Sequence, residues 1–152
     1  WQHDVVTGDM WLKARDTLHR ICDLAEEEDV VFTLENLNLL DHPGCPFGST
    51  KDVLTLVSSV NHPLLRINLD LYHTQIGEGD LVRWCEKCLP WIGEAQVADN
   101  PGRCEPGTGE INYAAVARAL RDMGYRGPVG LVATAAGDPE TALEAFRAAF
   151  TI

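Results

Sequence analysis

Three oxygen-bearing side chains stand where short apolar runs of this chain end. These residues are Glu35, Asp70 and Gln96. The carboxyl ends of parallel strands meet at one edge of a sheet, so the three side chains are expected to share a site. Carboxylate and amide oxygens suit a hard divalent cation such as Mg²⁺ or Mn²⁺, whereas zinc would favour His or Cys. Solvated acids are also common at strand ends, and the spacing alone leaves that alternative open.

A metal ion at such a site would polarise a substrate carbonyl and stabilise an enediolate, while a nearby carboxylate moves a proton between adjacent carbons. His73 follows Asp70 at the mouth of the second predicted strand, and Arg103 lies in a long loop after the third. An imidazole and a guanidinium there would orient a substrate by hydrogen bonds. A structural histidine and a solvated loop charge are the alternatives for these two residues.

The other histidines lie in helix or loop contexts without a second ligand nearby, and they are interpreted as structural: His3, His19, His42 and His62. Cys85 and Cys88 have the spacing of a redox or zinc pair, but no second pair accompanies them and they fall within a predicted helix. Five scattered cysteines are an odd number and do not predict a disulfide framework, which favours a reducing cytoplasm.

Four apolar strands alternate with amphipathic helices along the chain, after one initial helix over Asp9–Glu28. Asp80 is a candidate N-cap for the helix after the second strand. Two α/β architectures fit successive βα units, namely an open doubly wound sheet and a piece of a (β/α)₈ barrel. The chain has no glycine-rich phosphate loop, and its polar strand ends favour the barrel. The predicted strands are Val30–Leu34, Leu64–Leu71, Ile92–Ala98 and Val129–Ala133.

The 152 residues have a formal net charge of −11, and the sequence contains no cluster of Lys or Arg. Such a chain repels polyanions, so nucleic acid and acidic membranes are poor partners. No window reaches the roughly 18 consecutive apolar residues of a membrane span, and the start lacks a signal pattern. We therefore expect one soluble, unexported domain over residues 1–152.

Several segments together resemble the hydroxypyruvate isomerase family, whose members are xylose isomerase-like TIM barrels. The most specific is the long loop motif, and the likeness runs from about Leu18 to the C-terminus. The segments are Leu34–Asn38, Asn68–His73 with Gln75 and Glu78–Asp80, Gln96–Arg103, and Glu105–Tyr113. The resemblance implies that the four strands here are the fifth to eighth of a barrel, with its N-terminal half absent from this chain.

The resemblance also implies roles for individual residues. It makes Glu35 a metal ligand and catalytic base, and Asp70 and Gln96 metal ligands. His73 and Arg103 would contact the substrate, and Asn38 and Asp41 would line the same mouth. The implied reaction interconverts hydroxypyruvate and tartronate semialdehyde through an enediolate.

Three departures from the family bear on activity. Val132 stands where the family has a glutamate that acts as fourth ligand and second base, and Thr134 replaces a lysine. Glu94 replaces a histidine two residues before Gln96, and as alternate strand residues face the same way, both point inward. Glu94 is thus a candidate to compensate for the lost carboxylate.

Two hypotheses follow, an isomerase with Glu35 as sole base or a non-catalytic binding relic of the same barrel. An endonuclease on this barrel would need several metal-binding histidines and a basic face, which this sequence lacks. A half-barrel would also leave its outer strands unpaired. We therefore expect the chain to associate with a missing N-terminal half or with a second copy.

Overall fold

The computed structural model of the chain describes residues 6–151, and it has the α/β architecture that the sequence predicts. A parallel sheet is covered on one face by helices, with one helix before the first strand. The strands are β1 (Phe32–Glu35), β2 (Leu65–Asp70), β3 (Ile92–Val97) and β4 (Val129–Leu131). The helices are α1 (Gly8–Glu28), α2 (Thr50–Val60), α3 (Leu71–Gly77), α4 (Leu81–Cys88), α5 (Tyr113–Asp122) and α6 (Pro139–Phe150), with a 3₁₀ turn at Leu89–Trp91.

The four strands lie in the order β1-β2-β3-β4, and every neighbouring pair is parallel. The register places Asp70 beside Gln96, and Gln96 beside Gly130. Sequential parallel strands joined by helices are the arrangement of consecutive βα units in a barrel. Within residues 6–151, the outer sides of β1 and β4 have no strand next to them.

One face of the sheet forms the hydrophobic core with the helices. Leu65, Ile67 and Leu69 of β2 are almost completely buried, as is Val97 of β3. They pack in one cluster with apolar residues of α1, α2, α4 and α5. Cys85 and Cys88 are buried free thiols inside this cluster, in accord with a packing role.

The other face of the sheet carries polar side chains. Gly93 faces the side chains of Thr33 and Arg66 so closely that a Cβ there would lie 2.7 Å from the Arg66 Cβ. Because successive strand residues alternate between faces, Glu35 lies on the same side as Thr33, and Asp70 on the same side as Arg66. Glu94 and Gln96 lie on this side as well, because Gln96 pairs with Asp70; the register of β2 and β3 shifts between Ile67 and Asn68, which breaks the alternation at Gly93. In a closed barrel this face points inward.

Two local predictions need correction. Asp80 occupies the N-cap position of α4, but its φ is 49° and its side chain makes no capping hydrogen bond, pairing instead with Arg83 Nε at 3.0 Å. The chain also turns directly from β2 into the seven-residue helix α3, which the hydrophobic pattern did not predict. No helix among residues 6–151 is both long enough and apolar enough to cross a bilayer.

Candidate active site

Asp70 is the last residue of β2, and its side chain caps the N-terminus of α3. Its Oδ1 accepts hydrogen bonds from the backbone N–H groups of Tyr72 at 2.8 Å and His73 at 3.2 Å. This capping arrangement satisfies two free donors of the first helical turn and fixes the carboxylate. It leaves Oδ2 facing the polar side of the sheet, and it brings His73, three residues on, back above the carboxylate.

Glu35, Asp70 and His73 converge at this point. Each offers one ligand atom, and these atoms lie within 4.8 Å of one another. His73 Nε2 lies 3.7 Å from Asp70 Oδ2 and 3.9 Å from Glu35 Oε1. The Nε2 atom is buried and has no hydrogen-bond partner among residues 6–151. A buried polar atom without a partner is costly, and a ligand that bonded to this nitrogen would remove that cost.

Burial shifts the pKa values of all three groups toward their neutral forms. It raises the pKa of Asp70 to about 6, although the His73 backbone and the Arg103 charge oppose the shift. It also raises the pKa of Glu35, against the lowering effects of Arg103 and His42. Burial lowers the pKa of His73 to about 4, and the charge of Arg103 adds to this effect. His73 is therefore a neutral imidazole at physiological pH.

Gln96, the third predicted metal ligand, lies beside Asp70 in the register of β2 and β3. Its Nε2 donates a hydrogen bond of 2.6 Å to Glu94 Oε1. A carboxylate only accepts hydrogen bonds, so this contact turns the Gln96 amide nitrogen toward Glu94 and leaves Oε1 free. Glu94, the candidate compensating acid, thus contacts a predicted metal ligand.

Asn36 holds the two carboxylate-bearing strands together, and sequence reasoning missed it. Its side chain is fully buried. The Nδ2 atom donates to the Asp70 carbonyl at 3.0 Å and contacts the hydroxyls of Thr50 and Thr74. Its Oδ1 accepts from the Asp70 N–H at 2.9 Å. Asn36 directly follows Glu35, so these bonds set the position of Glu35 relative to Asp70.

Arg103 reaches the site from the long loop after β3. Its Nη2 lies 3.3 Å from Asp70 Oδ2, and its guanidinium carbon lies 4.9 Å from the centre of the Tyr72 ring. Its carbonyl accepts from the Thr134 N–H at 3.0 Å, which joins this loop to the segment after β4. The residue adopts a positive φ of 54°, a conformation that tertiary contacts must hold.

The conformation of this loop depends on Asp99, which is completely buried. Its carboxylate accepts from the N–H groups of Asn100, Gly107 and Ile111 at 2.8–3.0 Å. Tyr113 donates its hydroxyl hydrogen to the Ala98 carbonyl at 2.7 Å. The loop that carries Arg103 is thus fixed by internal hydrogen bonds.

Asn38 and Asp41, predicted to line the mouth, bond to each other and to the histidine. Asn38 Nδ2 lies 2.9 Å from Asp41 Oδ2 and 2.6 Å from His73 Nδ1. The Tyr72 hydroxyl donates to Asp41 Oδ2 at 3.1 Å. The centre of the His42 ring lies 5.3 Å from that of the His73 ring, so this residue, interpreted from the sequence as structural, borders the site. The two histidines are 31 residues apart in the sequence, and no local pattern predicts their contact.

The fourth strand contributes no acid here. Gln96 pairs with Gly130, and Val132 lies two residues beyond it, on the same side of the sheet. The Val132 side chain is 37% exposed. The position at which the resemblance to the family implies a glutamate is therefore apolar and exposed.

A comparison with protein families now identifies the architecture. The profile described as xylose isomerase-like TIM barrel matches residues 2–149, nearly the whole chain. The chain belongs to that family. The hydroxypyruvate isomerase of Escherichia coli K12 is 36% identical over 115 residues, which are 76% of this chain and 45% of that protein. The 2-oxo-tetronate isomerase of Cupriavidus necator is 32% identical over 106 residues, 70% of this chain and 41% of that protein.

A solved structure from Brucella melitensis, described as an AP endonuclease of family 2, has a TM-score of 0.82 and 34% identity. The match covers 88% of the present chain and 52% of the Brucella melitensis chain. The chain thus spans about half the length of the proteins that it matches, and its four parallel strands correspond to part of a barrel.

Proposed function

We propose that this chain carries the base and metal-binding residues of an isomerase for a small hydroxy-carbonyl acid, of the hydroxypyruvate isomerase type. The observation that carries the proposal is the convergence of Glu35, Asp70 and His73 at the ends of two neighbouring parallel strands. Relatives named for hydroxypyruvate and 2-oxo-tetronate isomerisation support the substrate class. We further propose that residues 1–152 belong to one barrel domain, of which they are the C-terminal part, and that the protein acts in the cytoplasm.

A divalent cation, Mg²⁺ or Mn²⁺, fits this donor set. Glu35, Asp70 and Gln96 offer hard oxygen atoms from three consecutive strands, and two of these oxygens belong to carboxylates. When bound, such an ion would polarise the substrate carbonyl and stabilise negative charge on the enediolate oxygens.

The chain's own residues account for the proton transfers. Glu35 removes a proton from the carbon that bears the terminal hydroxyl, and the resulting enediolate takes the proton back at the neighbouring carbon. The hydroxyl proton passes between the two oxygens at the same time, so atoms and charge balance. The raised pKa of Glu35, caused mainly by burial, suits this task, since it makes the carboxylate a stronger base than a solvated glutamate.

Arg103 and His73 orient the substrate in this scheme. The Arg103 guanidinium attracts the substrate carboxylate, to which it can present paired donors. It already lies at the site, 3.3 Å from Asp70 Oδ2. His73 is neutral and faces the space between the two carboxylates.

The second candidate function is a non-catalytic binding relic of the same barrel, and Val132 favours it. Its side chain supplies neither a ligand nor a second base where the family has glutamate. One base can in principle serve both carbons when they present the same face, so the isomerase is the preferred proposal. Glu94, which contacts Gln96, is the candidate replacement for the missing acid.

Conversion of hydroxypyruvate to tartronate semialdehyde, followed by proton NMR with Mg²⁺, tests the proposal. Glu35→Gln is expected to reduce the rate by ~10²–10⁴, whereas Glu27→Gln on the exposed side of α1 should have no effect. Asp70→Asn should weaken Mn²⁺ binding by calorimetry. A chain that binds Mn²⁺ but converts nothing would favour the relic, and unchanged Mn²⁺ affinity in Asp70→Asn would refute the ligand assignment.

A further inference from the structure

The side-chain amide of Asn38 has only one orientation that satisfies its neighbours. The backbone N–H of Asp41 donates to Asn38 Oδ1 at 2.8 Å, which identifies that atom as the oxygen. The Nδ2 atom then faces two acceptors, Asp41 Oδ2 at 2.9 Å and His73 Nδ1 at 2.6 Å. An amide nitrogen carries two hydrogens, and both are used.

This orientation determines where the imidazole of His73 carries its hydrogen. Nδ1 must present a lone pair to Asn38, so the single hydrogen of the neutral ring is on Nε2. We propose that Asn38 is a positioning residue that fixes His73 as the Nε2–H tautomer, so that the ring offers a hydrogen-bond donor to a substrate oxygen and cannot serve as a metal ligand. The proposal deepens the proposed function, on which the substrate contact rests.

The surroundings of Nε2 agree with a donor role. The atom is buried without a hydrogen-bond partner among residues 6–151, and the carboxylate oxygens of Asp70 and Glu35 lie beyond hydrogen-bond distance at 3.7 and 3.9 Å. A substrate oxygen placed between the two carboxylates would accept its hydrogen. Binding of a metal by Nε2 would move the hydrogen to Nδ1, which would then meet the Asn38 N–H group at 2.6 Å. Two donors at that distance repel, so Asn38 excludes His73 from the ligand set.

Asn38 is itself held by a chain of contacts that begins at Arg103. The Arg103 guanidinium lies over the Tyr72 ring, and the Tyr72 hydroxyl donates to Asp41 Oδ2. Asp41 then fixes both ends of the Asn38 amide through its backbone and its carboxylate. Asp41 and Tyr72 therefore act through Asn38, a role in addition to the lining of the mouth that the resemblance to the family implies for Asn38 and Asp41.

Nitrogen-15 NMR of the histidine-labelled chain measures the tautomer without any need for turnover. His73→Gln assigns the signals of this ring. We expect the parent protein to show protonated Nε2 and unprotonated Nδ1 at neutral pH. Asn38→Asp replaces the amide donor with a carboxylate, which only accepts, so the hydrogen should move to Nδ1. Asn61→Asp, at the exposed end of α2, introduces the same charge elsewhere and should leave the tautomer unchanged.

A parent spectrum with the hydrogen on Nδ1 would overturn the proposal, and this outcome does not depend on the folding of Asn38→Asp. An unchanged tautomer in folded Asn38→Asp would overturn it as well. Mg²⁺ titration gives an independent check, because Nε2 should keep its proton-bearing signal at saturation, and a change to a ligand-type signal would refute the donor role. An inactive chain with the expected tautomer would contradict the proposed function alone. In an active chain, Asn38→Asp should lower kcat about 10- to 100-fold.

Discussion

Glu94 accepts a 2.6 Å hydrogen bond from the side-chain amide of Gln96, its neighbour but one on β3. The contact determines which atom of Gln96 remains available, because the nitrogen is engaged and the oxygen is not. Glu94 thus acts on the proposed metal site through Gln96. Its proposed role as a replacement acid is distinct from this one. Orienting Gln96 requires only a hydrogen-bond acceptor, whereas replacing the missing acid requires a carboxylate.

Substitution at Glu94 separates orientation from charge. Glu94→Ala removes the acceptor and should lower Mn²⁺ affinity about 10-fold or more, as loss of an outer hydrogen bond to a ligand commonly does. Glu94→Gln keeps an acceptor oxygen but removes the charge, and it should retain most of the affinity by calorimetry. Equal losses in the two variants would show that the charge of Glu94 matters and the orientation of Gln96 does not.

The buried carboxyl of Asp70 should make the metal-free protein less stable as pH rises. Its pKa is about 6 in the folded chain, against about 3.9 for an unfolded aspartate. The folded state therefore binds more protons between these values, and stability decreases as pH increases through that window. The shift corresponds to about 3 kcal/mol at neutral pH.

Asp70→Asn removes this cost while its side-chain oxygen can still cap α3. We expect the variant to unfold at higher urea than the parent at pH 7.5, by about 1–3 kcal/mol, and to lose that advantage near pH 4. Asp16→Asn, on the exposed surface of α1, should show no such difference. If the difference in the free energy of unfolding between Asp70→Asn and the parent is the same at pH 4 and at pH 7.5, the pKa of Asp70 is not raised.

Val132→Glu should raise isomerase activity toward hydroxypyruvate, because it returns a carboxylate to the inward side of β4. The gain should require Mg²⁺ or Mn²⁺. Val132→Gln has the same length without the charge, and it should give little or no gain. If the glutamate variant folds, binds Mn²⁺ and is no faster than the parent, the missing carboxylate does not limit this chain.

The outer strands should drive association of the chain. Val31, just before β1, is 56% exposed and Phe32 is 42% exposed; β1 contains no proline, and its one charged residue is Glu35 at its end. We expect a second copy or a separately supplied N-terminal half to pair with β1 and β4. Sedimentation velocity at low micromolar concentration should show association, and Phe32→Lys should weaken it. A compact monomer that unfolds cooperatively would refute this prediction.

The sequence predicted the four strands and the acids at their ends because both follow from local rules. Strands buried by helices are short and apolar, and parallel strands place their carboxyl ends together. Glu35 and Asp70 were therefore accessible from pattern alone. Helix α3 was not, because seven residues are too few for a periodic signal and its cap is the same Asp70 that was interpreted as a ligand.

The contacts missed from the sequence join residues that are distant along the chain. Asn36 bonds to the backbone of Asp70, 34 residues away, and no local pattern reports such a bond. The placement of Arg103 over Tyr72 and of His42 beside His73 likewise depends on how the loops pack. Local propensity determines the elements, whereas side-chain partners across strands are set by the assembled fold.

The internal bonding of the Asp99 loop has a thermodynamic consequence. Since three backbone N–H groups already converge on one buried carboxylate, the segment that delivers Arg103 loses little freedom when a ligand arrives. Ordering a flexible loop of this length would otherwise oppose binding with an entropy cost at each residue. Binding of a small acid at this site should therefore resemble binding to a rigid surface. Ion pairs and hydrogen bonds would provide the affinity, and ordering of the loop would reduce it little.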